Sequence, residues 1–252
     1  MPEGDSVYQL SKRLQWMTGR EVTRTSLRVP RYATVDFTGM TCERVWPYGK
    51  HLFMQFGAPD HAAQILHTHL KMEGTWAFHR AGQRWRKPGH AARVVLSLAD
   101  APAPDIELVG FWLGLVRVFP AREYPQEMGY LGPDLLADDF DAAEAIRRIE
   151  ADPDMEIGRA LLDQRNLAGL GTIFTSEPLF VERTSPWTTV GDLDEQQIAA
   201  RMEEWFVAGG ADVVVAVVPV AAAHQRQAVR ADRQRAVERP QAMLEERGRL
   251  AR

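Results

Sequence analysis

The chain of 252 residues contains one cysteine, Cys42. A single thiol excludes an internal disulfide framework and any multi-cysteine metal site within the chain, and it fits a reducing cytoplasm. No basic segment followed by an apolar core opens the sequence, so no secretory signal is expected. Long apolar runs are missing too: the most apolar one, Ala211 to Ala223, is shorter than the roughly 20 residues needed to cross a bilayer, and no membrane partner is expected. What is present is ordinary for a folded globular protein, 45% hydrophobic and 25% charged residues, in a length that suits two modest domains.

The net charge of -4 argues mildly against a nucleic-acid partner, because phosphate binding calls for a basic surface. The average conceals a segregation. Residues 1–99 carry 14 Lys and Arg against 7 Asp and Glu, a net of +7, whereas residues 100–156 carry 4 against 14, a net of -10. A basic first part that faces DNA and a solvated mixed surface both agree with these numbers.

Val7, Leu10, Leu14 and Met17 recur at helical spacing behind Gly4-Asp5-Ser6. This predicts a helix that opens almost at the first residue, with that tripeptide as its capping segment. Short runs rich in β-branched and aromatic residues follow, among them Glu21 to Arg28, His51 to Phe56, Gln64 to Leu70, Gly74 to Phe78, Arg93 to Leu98 and Leu113 to Phe119. Punctuated by Gly and Pro, they predict a sandwich or a barrel. Beyond Leu131-Gly132-Pro133, the segments Phe140 to Ile149, Ile157 to Asp163, Thr172 to Phe180 and Asp194 to Phe206 favour helices, which places a linker near 121–133. From Gly209 the composition turns Ala/Val-rich and then Arg/Gln/Glu/Ala-rich, a polar helix or a disordered tail.

Candidate chemistry begins at Met1-Pro2-Glu3-Gly4. Removal of the initiator methionine is expected ahead of so small a residue as proline, and it leaves a secondary amine. With a pKa of roughly 7.7 to 8.0, an α-amino group is partly unprotonated near neutrality, whereas an ordinary lysine at about 10.4 is not. Pro2 can then form an iminium with a sugar carbon, and Glu3 can exchange protons beside it. Pro and Glu are equally ordinary residues for the start of a helix. Tyr48-Gly49-Lys50-His51 forms a turn whose lysine can reach a phosphate or a departing base. His67-x-His69 reads as a metal pair or, lacking an evident third ligand, as two structural histidines. The segment Leu161 to Phe180 reads as two short helices joined around Gly169-x-Gly171, which leaves backbone N–H groups at the start of the second helix to meet a phosphate. It is not a dinucleotide fingerprint, since it has no third glycine and follows no strand.

Taken in order, Met1 to Asp5, the Lys50 turn, His69-Leu70-Lys71-Met72-Glu73-Gly74, Gly129-Tyr130-Leu131-Gly132-Pro133-Asp134-Leu135-Leu136 and residues 157–180 resemble the formamidopyrimidine-DNA glycosylase and endonuclease VIII family. The opening looks more like its endonuclease VIII branch. The resemblance implies an α+β fold: an N-terminal helix on a two-layered antiparallel β-sandwich (1–125), a helical domain with a helix-two-turns-helix motif (126–208), and a divergent tail (209–252). It implies a bifunctional DNA glycosylase and abasic-site lyase of base excision repair that removes oxidised bases, pyrimidines in this branch, and cuts by β,δ-elimination. Pro2 would be the nucleophile, Glu3 the acid and Lys50 a phosphate or base contact. Leu70 and Met72 match the region that supplies wedges to fill the gap left by a flipped nucleotide, and Asn166, Gly169, Gly171 and Thr172 are the further residues expected to meet DNA. The implied partner is damaged double-stranded DNA, bound by a monomer without cofactor or metal.

Two departures stand out. The family places Asn after the Gly-x-Gly turn, where this chain has Thr172, whose hydroxyl lacks the amide's second donor. The family's C-terminal zinc finger needs four cysteines, and none follows Cys42. The tail is either a divergent replacement or the product of a shifted reading frame. These departures carry the alternative expectation, a DNA-binding family member with little or no catalysis.

Overall fold

The computed structural model describes residues 2–99 and 106–193. The predicted helix Asp194 to Phe206 and the tail from Gly209 lie outside the described residues.

The first helix, α1 (Gly4–Leu14), continues into a 3-10 turn, Gln15–Met17. Its spacing buries Val7, Leu10, Leu14 and Met17 on one face, and Asp5 in its first turn with Lys12 and Arg13 in its last complement the helix dipole. The expected capping role of Gly4-Asp5-Ser6 is corrected: these residues form the first turn, and Glu3 is the N-cap, with no capping bond of its own to α1.

Eight strands follow among the described residues: β1 (Val22–Leu27), β2 (Thr41–Tyr48), β3 (His51–Ala58), β4 (His61–His69), β5 (Thr75–Arg80), β6 (Ala92–Leu98), β7 (Ile106–Phe111) and β8 (Leu115–Pro120). They form two antiparallel four-stranded sheets, β1-β6-β7-β5 and β2-β3-β4-β8. The sheets enclose a core of Leu52, Met54, Phe56 and Leu66 from one and Val94, Leu96 and Leu108 from the other, with α1 packed into the same core. Each large apolar side chain buried there contributes about 1.5–3 kcal/mol. Pro47 lies in β2, an edge strand, where its missing N–H costs no ladder bond.

β3 is apolar on both faces. Leu52, Met54 and Phe56 turn into the sandwich core, while Phe53 packs outward with Ile65, Phe119, Met128 and Leu131. A strand covered on both sides needs no polar alternation, so His51 to Phe56 reads as a near-continuous apolar run. The outer cover comes from α2 (Tyr124–Met128) and the segment after it. Then come α3 (Ala142–Glu150), α4 (Ile157–Leu162) and α5 (Thr172–Val181). α3 is N-capped by Asp141, whose carboxylate accepts the Glu144 amide at 2.9 Å.

Most strand ends lie one to three residues from their predicted places, and two of these shifts have a visible cause. β4 stops at His69, because Leu70 accepts the Gly74 amide at 2.9 Å and closes a turn. Gly74 is needed there, since a Cβ would fall 2.3 Å from the Leu70 carbonyl oxygen. β8 begins at Leu115 rather than Leu113, which folds back into the core. The thiol of Cys42 is buried and pushed up to about 12 by desolvation, so it packs as a small apolar group.

Candidate active site

Three distant stretches of sequence meet at the start of α1. Glu3 is 1% exposed, and its carboxylate accepts the backbone N–H groups of Gly171 at 2.8 Å, Ile173 at 3.0 Å and Phe174 at 3.4 Å. These are orphan donors at the N-terminus of α5, whose own N-cap residue, Gly171, has no side chain to offer. A carboxylate there also meets the positive end of the helix dipole. The Gly4 amide donates to the Gly169 carbonyl at 2.9 Å, so the opening of the chain is tied twice to the same turn. A Cβ on Gly171 would lie 2.4 Å from the Glu3 carboxyl carbon. Pro2, half-buried, directly precedes this anchor.

The second stretch is the Lys50 turn. Gly49 adopts φ +53°, and a Cβ there would fall 3.0 Å from the Ala168 side chain. Its amide donates to Asp134 Oδ2 at 2.9 Å, and Tyr48 Oη donates to the Gly132 carbonyl at 2.8 Å. Asp134 is buried, and desolvation raises its pKa against the two amides that it accepts, those of Gly49 and Leu136. Lys50 is half-buried; desolvation lowers its pKa, which the charge of Glu3 opposes and that of Lys71 reinforces. The nearby segment 131–135 lies against 164–168 through the Gly132 amide to Gln164 carbonyl bond at 2.8 Å and the Ala168 amide to Pro133 carbonyl bond at 2.9 Å.

The third stretch is the turn after β4. Leu70 is 7% exposed and belongs to the sandwich core, whereas Met72 is 68% exposed. Of these two residues expected to meet DNA, Leu70 is enclosed and anchors the turn, and Met72 projects. Lys71 has φ +55°, and its amide donates to His69 Nδ1 at 2.9 Å.

Other expected DNA contacts are also redefined. Of the backbone amides at the start of the second helix, a position at which a phosphate can bind, those of Gly171, Ile173 and Phe174 are taken by Glu3. Gly169, at φ +105°, donates its amide to Gln164 Oε1 at 3.1 Å, and Asn166 Nδ2 donates to the Ala160 carbonyl at 3.0 Å. These groups build the turn. Thr172 is exposed at the first position of α5.

Register supplies the histidine absent from the sequence pair. His51 stands opposite His69 across β3 and β4, its Nδ1 lies 2.7 Å from His67 Nε2, and its ring centroid is 4.8 Å from that of His69. Burial lowers all three, to about 3 for His51, about 2 for His67 and about 4 for His69, with Lys71 and Lys50 adding to the effect at His51 and His69. Among the described residues, no group of three or more His, Cys, Asp or Glu side chains could hold a metal ion. Here the facing nitrogens of His51 and His67 are bonded to each other and His69 Nδ1 is taken by an amide. Sequence reasoning gave no role to Asp134 or His51; the only signal was their position beside the Lys50 turn and within the Gly-Pro-Asp segment.

The chain matches the formamidopyrimidine-DNA glycosylase N-terminal domain over residues 1–107 and the formamidopyrimidine-DNA glycosylase H2TH domain over 131–206. It is 43% identical over 201 residues to probable endonuclease 8 2 of Streptomyces coelicolor, covering 79% of this chain and 70% of that one. It is 40% identical to the DNA-(apurinic or apyrimidinic site) lyase Nei2 of Mycolicibacterium smegmatis, covering 77% and 72%. Among solved structures, the Lactococcus lactis Fpg (MutM) complex with N7-benzyl-Fapy-dG containing DNA superposes with a TM-score of 0.67 at 21% identity, over 86% of this chain and 83% of that one.

Proposed function

Because the chain belongs to the formamidopyrimidine-DNA glycosylase and endonuclease VIII family, we propose that it is a bifunctional DNA glycosylase and abasic-site lyase of base excision repair, with Pro2 as nucleophile. The observation that carries this reading is the clamp on Glu3, which fixes the residue next to Pro2 at the start of α5 beside the Lys50 turn. With Met1 removed, the Pro2 nitrogen is a secondary amine. Its lone pair attacks C1′ of the damaged nucleotide, the base departs, and the sugar ring opens to an iminium as the ring oxygen takes a proton. Glu3 exchanges that proton. Lys50, whose burial brings its neutral form closer to neutral pH, exchanges protons with the departing base. The iminium acidifies the C2′ proton, whose loss expels the 3′ phosphate; loss of the C4′ proton then expels the 5′ phosphate, and water releases the sugar fragment and restores the amine.

The substrate of this reading is duplex DNA with an oxidised pyrimidine, as the resemblance of the Met1 to Asp5 opening to the endonuclease VIII branch implies. The target nucleotide is flipped out of the stack, and the exposed Met72 enters the gap. Borohydride reduction with an abasic duplex tests the proposal. A covalent protein–DNA product is expected, and it should vanish when residues placed ahead of Pro2 turn its nitrogen into an amide, and fall in Pro2→Ala. Absence of any adduct with the native N-terminus would sink the assignment. One observation favours a second reading, DNA binding without useful catalysis: Thr172 stands where the family has Asn, and the neighbouring amides are already engaged. Salt-sensitive duplex binding with no trapping would select it.

A further inference from the structure

Away from the candidate site, the β5–β6 loop (81–91) folds back over the outer face of the β1-β6-β7-β5 sheet. Residues 74–99 contain five Arg or Lys and no Asp or Glu. The loop is held by its own aromatics: Trp85 packs edge-on to Phe111 with centroids 5.6 Å apart, and its Nε1 donates to Glu107 Oε2 at 3.3 Å. Glu107 is itself buried and paired with Arg24 at 2.6 Å. The Arg28 guanidinium sits 5.0 Å from the Trp85 ring centroid, and the Lys87 ammonium sits 4.8 Å from that of Trp112 while donating to Thr75 Oγ1 at 2.7 Å. Arg84, Arg86 and Arg93 are exposed, and among the described residues none of them forms an ion pair.

We propose that this face is a second DNA-binding surface, distinct from the candidate active site, which holds the phosphate backbone of duplex DNA through Arg84, Arg86 and Arg93. The inference rests on the reading that the chain acts on DNA. Charge complementarity identifies the occupant. Residues 100–156 repel a polyanion with a net of -10, so the opposing attraction has to come from concentrated cations, and this face concentrates them. The state of the rings favours a duplex over a single strand. Single-strand binders offer open aromatic faces on which bases stack, whereas here the cations of Arg28 and Lys87 lie over Trp85 and Trp112. Backbone contacts of this kind read no sequence; they add affinity and salt dependence.

The test measures affinity for an undamaged duplex across a sodium chloride series, comparing the full chain with the Arg84→Ser/Arg86→Ser/Arg93→Ser variant. Each neutralised phosphate adds about 0.9 to the slope of log affinity against log salt. The variant should therefore show a slope shallower by about two to three and at least a tenfold loss of affinity at low salt. Charge reversal with Arg84→Glu/Arg86→Glu should deepen the loss, and a melting curve for each variant should match the parent because all three side chains are exposed. An unchanged slope and affinity would overturn the proposal. So would an oligothymidine that binds more tightly than the duplex and loses more in the variant. Trapping on saturating abasic duplex separates the two readings. A parent that binds duplex with the steep slope but traps nothing loses the lyase reading and keeps this surface; a parent that traps, with a variant of equal slope, loses this surface alone.

Discussion

On the β2-β3-β4-β8 sheet, the outward side chains His51, Phe53, His67 and Phe119 form a ring cluster, and Phe53 and Phe119 pack with Met128 and Leu131 beneath the segment that follows. On the β1-β6-β7-β5 sheet, the described residues packed on Val95, Val109 and Phe111 are Trp85 of that sheet's own loop with Ala77 and Trp112, and Arg84, Arg86 and Arg93 stay exposed. The strands are of the same kind, yet the consequences are opposite. Where a second layer excludes water, imidazoles are kept neutral and the layer becomes the floor on which the Lys50 turn and the α5 start are assembled. Where a loop lies on top, guanidinium groups stay exposed and keep their hydration.

Four measurements test this contrast. Phe53 is wholly buried under the second layer, so Phe53→Ala should cost about 3–5 kcal/mol in urea unfolding. A cost near that of an exposed site would mean that the layer is not packed down. The histidine cluster makes the covered face sensitive to acid. The three folded-state values lie below the ordinary 6.5, so between about pH 4 and 6.5 the unfolded chain binds protons that the folded chain refuses. Stability must then fall as pH is lowered through that range. His67→Gln should flatten this part of the pH profile, and an unchanged profile would assign the acid sensitivity elsewhere.

Gly171→Ala should displace the Glu3 carboxylate from its amides and weaken charged hydrogen bonds worth about 1.5–3 kcal/mol each. The melting temperature should fall by several degrees, and strand cleavage at an abasic site, read well below the variant's melting temperature, should drop by at least tenfold; full activity would show that the clamp is dispensable for catalysis. The smallest effect is expected on the loop-covered face. Trp85→Ala removes a half-buried ring and should cost about 1–2 kcal/mol, while loosening the loop enough to weaken duplex binding. A cost as large as that of Phe53→Ala would erase the distinction between the faces.

Periodicity was enough to place α1, α4, α5 and most of the strands, because a 3.6-residue or two-residue rhythm is local and burial enforces it. The order of short segments, from the Pro2-Glu3 opening to the Gly169-x-Gly171 turn, was enough to indicate the family. Glu3 as partner of a helix 168 residues away was not legible, nor was Asp134 beneath Gly49, nor the third histidine at position 51. Each depends on which backbone donors remain unpaired after the chain has folded, and on strand register, and neither quantity is written in neighbouring residues. Leu70 and Met72 show the same division within a single turn. Both are apolar and both suit a wedge, but only the packing of the sandwich core decided that Leu70 is enclosed and that Met72 faces outward.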